Sequence, residues 1–230
     1  MLKAIIFDVD GTLSETEEVH RQAFNETFVE FGLPWVWSQE LYQDLLNTTG
    51  GKERMTAYLR EHLNEPADPE IIAKIHKRKT IIYGRLIAGG AASLRPGIAN
   101  LINDAKKRGV RTAVATTTNR PNVDRLAESC FGKTAGEIFE VIAAGDAVVN
   151  KKPASDVFDL AVTGLGLDPS DCVGLEDSRN GLLSCIGAGV ACIVSPCMYT
   201  KGSDFSGATA VVDSFSKIDT IAKLNAVLNS

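Results

Sequence analysis

Two carboxylates, Asp8 and Asp10, stand two residues apart at the end of an apolar run, Ala4-Ile5-Ile6-Phe7. A second pair, Glu176 and Asp177, ends the run Cys172-Val173-Gly174-Leu175. The hydroxyls of Thr116, Thr117 and Thr118 end the run Val110 to Ala115, and Lys152 lies in a Lys-Lys-Pro turn after the weaker run Glu140 to Ala143. Carboxylates gathered at one point repel strongly, and a divalent cation removes that repulsion. Ligation by Asp and Glu, with no His or Cys nearby, favours a hard ion, and Mg2+ is the natural choice at a phosphate site. Lys152 adds a second positive charge and Thr116 a hydroxyl donor. Together these groups describe a cradle for a phosphoryl group, whose transfer depends on positioning and charge stabilisation. Asp8 can then act as the nucleophile. Asp10 can protonate the leaving alcohol and later deprotonate water. A free aspartate titrates near ~3.9, so the surroundings of Asp10 are expected to hold its proton as the site closes.

The elements that must bring these residues together are legible in outline. Lys3–Phe7, Val110–Ala115, Cys172–Leu175 and Val190–Val194 read as short buried strands, with weaker ones at 140–143 and 210–212. Helical patterns cover Pro96 to Lys107, with Pro96 at an N1-like position, then Ala154 to Thr163 and Arg179 to Ile186. Strand alternating with helix predicts an α/β fold with a mainly parallel sheet and helices on both faces. Ligands bind such sheets at the carboxyl ends of the strands, where every polar cluster named above falls. The stretch 15–90 differs: it holds four helical segments (Glu17–Phe31, Gln39–Leu46, Lys52–His62, Pro69–Ile87) and no convincing strand. The expected organisation is a catalytic α/β core of residues 1–14 and 91–230, interrupted by a helical cap domain of residues 15–90 that sits over the strand ends as a lid. Ala88 to Ser93 serves as the return hinge. Thr16, Glu17 and His20 lie where the chain enters the lid.

Bulk properties narrow the function further. The chain has 230 residues, 44% of them hydrophobic, and a net charge of −5. No basic stripe argues for a nucleic-acid partner. Five cysteines, scattered and without C-x-x-C spacing, indicate neither a disulfide framework nor a zinc site. The short apolar N-terminus stops at Asp8, and no run reaches membrane-spanning length, so a cytoplasmic protein with no membrane partner is expected. A monomer acting on a small molecule is the expectation for its partners.

Within the lid, Thr48-Thr49-Gly50-Gly51-Lys52-Glu53-Arg54 precedes a helix. Its paired glycines expose backbone N–H groups, and Lys52 and Arg54 add charge, which suits an anion; solvated loop charges are the plain alternative. Further on, Ile72, Ile75, Ile82 and Leu86 form one helical stripe, with Lys79 inside it and Arg78 at its edge. Lys79 either snorkels to water or points at a ligand. Trp35 and Trp37 are expected in the lid's core.

Asp8-Val9-Asp10-Gly11-Thr12 resembles the first motif of the haloacid dehalogenase-like phosphatases. Thr116 resembles their second, Lys152 in Lys-Pro-Ala-Ser-Asp-Val-Phe their third, and Gly174-Leu175-Glu176-Asp177-Ser178 their fourth. The resemblance implies a Rossmann-like core with Mg2+ held by the Asp8 carboxylate, the Asp10 backbone carbonyl and Asp177, with Glu176 direct or through water. An acid at position 10 implies a phosphatase or phosphotransferase, since dehalogenases of the family have none there. Over its full length the chain is similar to the CbbY-type subgroup, close relatives of β-phosphoglucomutase, on Glu15-Thr16-Glu17-Glu18-Val19-His20, the Thr-Thr-Gly-Gly-Lys-Glu-Arg stretch and His-Lys-Arg-Lys-Thr. CbbY-type enzymes dephosphorylate xylulose 1,5-bisphosphate, an inhibitor of Rubisco. The resemblance implies one phosphate at Asp8, the other gripped by Gly51, Lys52, Arg54 and Arg78, and sugar hydroxyls near Glu17 and His20. Gly50, Lys79, Thr117, Thr118, Asn119 and Arg120 complete the expected substrate-binding set. Asn119 stands where β-phosphoglucomutase has a lysine, while Lys52 and Lys79 keep cations at mutase-like positions. A mutase is therefore the first alternative, and a catalytically idle phosphosugar-binding regulator the second.

Overall fold

The computed structural model describes residues 2–229. The described residues include six strands: β1 (Ala4–Phe7), β2 (Arg111–Thr116), β3 (Val141–Ala144), β4 (Cys172–Glu176), β5 (Ala191–Val194) and β6 (Ala210–Val211). They form one parallel sheet in the order β3-β2-β1-β4-β5-β6. β1 is central, and its register aligns Phe7 with Val114 on one side and Leu175 on the other. The three strands therefore end within two residues of one another, and the residues that follow them meet at one edge.

Alternation along β1 divides its side chains between two layers. Ile5 and Phe7 join a core built with α5 (Ile98–Lys107), α6 (Arg120–Phe131) and α10 (Ile221–Leu228). Ala4 and Ile6 face the opposite core, built with α8 (Asp156–Leu165) and α9 (Arg179–Gly187). A strand covered on both faces must be apolar at every position, which is why Ala4–Phe7 carries no polar residue. A short α7 (Ala135–Ile138) precedes β3.

Between β1 and α5 the described chain is helical: α1 (Glu17–Glu30), α2 (Gln39–Leu45), α3 (Gly51–Ala57) continued by a π-helical turn at Tyr58–His62, and α4 (Pro69–Ala88). Their core is aromatic. Trp37 is fully buried against Phe24 and Phe28, with ring centroids 4.6 and 5.0 Å away, and Trp35 packs edge-on to Phe28. Two residues of the loop after β5, Cys197 and Tyr199, complete this cluster, so the cap's core is finished by the domain beneath it. The outgoing and returning segments touch: Ser14 bridges Leu94, and its hydroxyl donates to the Ser93 carbonyl at 2.6 Å.

Two local expectations need correction. Pro96 does not open α5 from N1. The helix begins at Ile98, and Gly97 is its N-cap at φ +97, where an added Cβ would lie 2.5 Å from the Phe215 backbone. The helix expected over 52–62 is not uniform, because its last turn widens to π geometry. Three helices, α6, α7 and α10, went unread. The first lies behind Asn119-Arg120-Pro121, where Asn119 Oδ1 caps by accepting from the Asn122 amide at 3.1 Å.

Candidate active site

Asp8 leaves β1 with its amide still bonded to the Leu175 carbonyl at 3.0 Å, so its backbone is set by the sheet. Lys152, buried, places Nζ 2.6 Å from Asp8 Oδ1 and 2.6 Å from Glu176 Oε1. Ligand atoms of Asp8, Glu176 and Asp177 lie within 4.8 Å of one another, the one such buried acidic group among the described residues. Burial pushes the Asp8 carboxyl well up, and the charges of Glu176 and Asp177 add to this while Lys152 opposes it. Burial and the Glu176 charge likewise push Asp177 up to about 8. Burial also works against charge on Lys152, but Asp8 and Glu176 outweigh it and hold the ammonium beyond the ordinary lysine range. Carboxylates that raise one another's pKa around an all-oxygen pocket are a fitting donor set for a hard cation. Gly11 makes room for them: at φ +84, a Cβ there would stand 2.2 Å from Asp177 Oδ2.

Asp10 turns the other way, into the cap. Its Oδ1 accepts from Thr16 Oγ1 at 2.5 Å and lies 3.0 Å from His20 Nε2. Behind it, His20 Nδ1 lies 2.5 Å from Lys79 Nζ, and the imidazole stacks on Tyr83 at 4.1 Å. An ammonium can only donate, so the network assigns the ring proton to Nε2, facing Asp10. Burial favours a neutral Asp10, yet the electrostatic attraction of His20, the hydrogen bonds from His20 and Thr16, and the Lys79 charge outweigh it and hold the carboxyl below the usual range. With donors around it, Asp10 rests ionised. Lys79, 4% exposed, lies over the Phe24 and Tyr83 rings, and burial brings its ammonium down to about 7. It does not snorkel to water.

Both halves enclose one cavity of about 380 Å³. Asp8, Asp10, Thr116, Lys152 and Asp177 line its core side, and Glu17, His20, Gly50, Gly51, Lys52, Arg54 and Lys79 its cap side. Thr117, Thr118 and Asn119 also line it, while Glu176 lies beneath, fully buried. Thr116 Oγ1 accepts from the Thr118 amide at 3.2 Å, and Asn119 Nδ2 donates to Thr80 Oγ1 of the cap at 3.2 Å. Arg54 is also structural: Nη1 donates to the Tyr42 hydroxyl at 2.9 Å, and Tyr42 donates to Glu17 Oε2 at 2.9 Å. Two expected residues are not brought here. Arg78, with its side chain 41% exposed, is held by Glu30 at 2.5 Å on the outer face of α4. Arg120, 53% exposed, pairs with Asp124 one turn along α6 at 2.9 Å.

Other lining residues carried no motif. Gln43 and Asn47 precede the cap loop, and Asn180 follows the fourth motif. Tyr199 and Thr200 arrive on the loop after β5, where Thr200 Oγ1 donates to the Asp177 carbonyl at 2.7 Å. Only Asn180 had a usable signal, its place three residues beyond Asp177.

Comparison with known proteins agrees with this geometry. Residues 2–189 match the family model described as haloacid dehalogenase-like hydrolase. Protein CbbY of Cereibacter sphaeroides is 53% identical over 225 residues, covering 98% of this chain and 97% of the relative. Protein CbbY of Rhodobacter capsulatus is 58% identical over 207 residues, covering 90% and 91%. The crystal structure of the D10N variant of CbbY from Rhodobacter sphaeroides in complex with xylulose-(1,5)bisphosphate superposes with a TM-score of 0.93 at 53% identity, covering 97% of this chain and 99% of that one. No described helix is long and apolar enough to cross a membrane. The strand-end carboxylates, the helical cap above them and these full-length matches place the chain in the haloacid dehalogenase-like hydrolase family, as an enzyme of its CbbY branch.

Proposed function

We propose that the protein is a Mg2+-dependent phosphatase of small sugar phosphates, with xylulose 1,5-bisphosphate as its substrate and Asp8 as its nucleophile. The observation that carries this reading is the buried contact between Lys152 and Asp8, beside two further carboxylates, on the floor of a cavity of about 380 Å³. The substrate assignment is supported by the CbbY relative whose structure holds that bisphosphate.

Asp8, Glu176 and Asp177 fit a hard divalent ion and would hold Mg2+, with the Asp10 backbone carbonyl added by family resemblance. When bound, the ion supplies charge neutralisation to the carboxylates and to the phosphate oxygens. The remaining chemistry falls to side chains. Lys152 and Thr116 orient the phosphoryl group in line with Asp8. The Asp8 carboxylate attacks phosphorus, the bond from phosphorus to the sugar oxygen breaks, and Asp10 protonates that oxygen. Asp10 rests ionised, so it needs a proton first. His20 Nε2–H, in contact with Asp10, can give it while Lys79 returns one to Nδ1. Water then attacks the phosphorus of the aspartyl-phosphate, Asp10 takes its proton, and phosphate leaves. The second phosphate of the substrate would reach the cap residues Gly50, Gly51, Lys52 and Arg54, with sugar hydroxyls at Glu17 and His20.

Steady-state phosphate release across a panel of sugar mono- and bisphosphates tests the assignment. Release from xylulose 1,5-bisphosphate at the highest kcat/KM is expected. Interconversion of glucose 1- and 6-phosphates without net release would install the mutase instead.

A further inference from the structure

At the mouth of the cavity, core and cap are joined by one side chain of α9. Asn180 extends its amide to the loop before α3, where Nδ2 donates to the Asn47 carbonyl at 3.0 Å and to Thr49 Oγ1 at 3.0 Å. A backbone carbonyl can only accept, so the Asn180 amide has one workable orientation, N–H groups toward the loop. The residue between the two contacts is held from the other side, since Arg54 Nε donates to the Thr48 carbonyl at 3.4 Å and to the Leu45 carbonyl at 3.2 Å. Immediately beyond stand Gly50, Gly51 and Lys52, which line the cavity. The loop has little slack: Gly50 sits at φ +97, and Gly51 is so close to His76 that a Cβ would lie 2.6 Å from its Nε2. Asn180 is itself fixed to the reaction centre. Ser178 caps α9 by accepting from the Gly181 amide at 3.1 Å, and Asp177 precedes it directly.

We propose that Asn180 is a positioning residue that sets the span between Asp8 and the cap loop at Thr49 to Lys52, and thereby favours substrates with a second phosphate at their far end. The proposal rests on the phosphatase reading above. A loop clamped before the substrate arrives does not incur an ordering cost on binding, and its distance from the nucleophile matches one substrate length better than others. Asn180 acts through the loop, so a substrate too short to reach the loop does not sense it.

Asn180→Asp tests this directly, because it keeps the shape and sets a carboxylate oxygen against the Asn47 carbonyl, with only the Thr49 hydroxyl still able to donate to it. KM for xylulose 1,5-bisphosphate is expected to rise roughly tenfold with kcat near the parent's, as for replacing a modest hydrogen bond by two opposed acceptors, a loss that acts on ground and transition states alike. For p-nitrophenyl phosphate, which has no distal phosphate, kcat/KM is expected to change by less than about twofold. Thr49→Val should move KM the same way by a smaller factor. In the ligand-free protein, amide hydrogen exchange over residues 47–51 should quicken in Asn180→Asp while β4 is unchanged. Equal losses on both substrates, an unchanged bisphosphate KM, or unchanged exchange in the loop would overturn the proposal. A parent enzyme that releases no phosphate from the bisphosphate contradicts the phosphatase reading instead, and loop exchange alone then decides whether Asn180 is the clamp.

Discussion

Lys152 Nζ lies 2.6 Å from Asp8 Oδ1, two charged groups 144 residues apart and both buried. The same ammonium reaches Glu176 at 2.6 Å, so one lysine ties together the floor of the site. Removing it leaves buried carboxylates without their partner, a change that costs about 3–5 kcal/mol in comparable pairs. Lys152→Met is therefore expected to lower the thermal midpoint by several degrees and kcat/KM by roughly 10²-fold or more. Calorimetry and steady-state phosphate release measure the two effects; activity within a few-fold of the parent would show that Lys152 does not face the phosphoryl group.

The acidic cluster predicts a pH-dependent stability that metal should reverse. Asp177 is pushed up to about 8 by burial and by Glu176, from 3.8. The folded protein then binds the extra proton more tightly than the unfolded chain, so this group's contribution falls as pH rises from about 4 to 8 and is flat above. In EDTA, the difference in midpoint between Asp177→Asn and the parent should widen over that window. Added Mg2+ should stabilise the parent more at pH 8 than at pH 5. A constant difference across the window contradicts the assigned cluster.

Lys79 gives a kinetic counterpart. Burial brings its ammonium down to about 7, and it must be protonated to return a proton through His20. Activity should therefore fall as pH rises through about 7. In the pH profile of kcat, Lys79→Arg should lose that limb toward higher pH, and Lys79→Met should lower kcat across the range. An unshifted limb in Lys79→Arg would assign it to another group.

Two arginines expected together from the sequence should part company experimentally. Arg54 is buried at the cavity wall, whereas Arg78 makes an exposed pair with Glu30. Exposed pairs contribute about 0–1 kcal/mol. Arg78→Ala should leave KM within about twofold, while Arg54→Ala should raise it and loosen the Tyr42 contact. Equal effects on KM would restore Arg78 to the site.

The contrast shows where the sequence was readable. Apolar runs ending in Asp8, Thr116 and Glu176 disclose themselves, because a strand buried on both faces has no other place for a charge. Lys79 was half legible: its stripe was plain, but whether a lysine inside it faces water or a cleft depends on what α1 lays against it. Arg78 follows it by one position in reverse, and about 100° of rotation carries it to the outer face. Gln43 and Tyr199 were not legible as site residues, because they meet at the cavity only through a contact between cap and core. Asp10 was assigned its task from its spacing, yet its resting charge is set by Thr16, His20 and Lys79.

The most direct test of the central claim compares the parent with Asp8→Asn for Mg2+-dependent phosphate release from xylulose 1,5-bisphosphate, with circular dichroism to confirm that both are folded. Release of one phosphate per substrate by the parent, and its loss by at least roughly 10³-fold in Asp8→Asn, is the predicted result. A folded Asp8→Asn that still releases phosphate, or a parent that does not, would contradict the account.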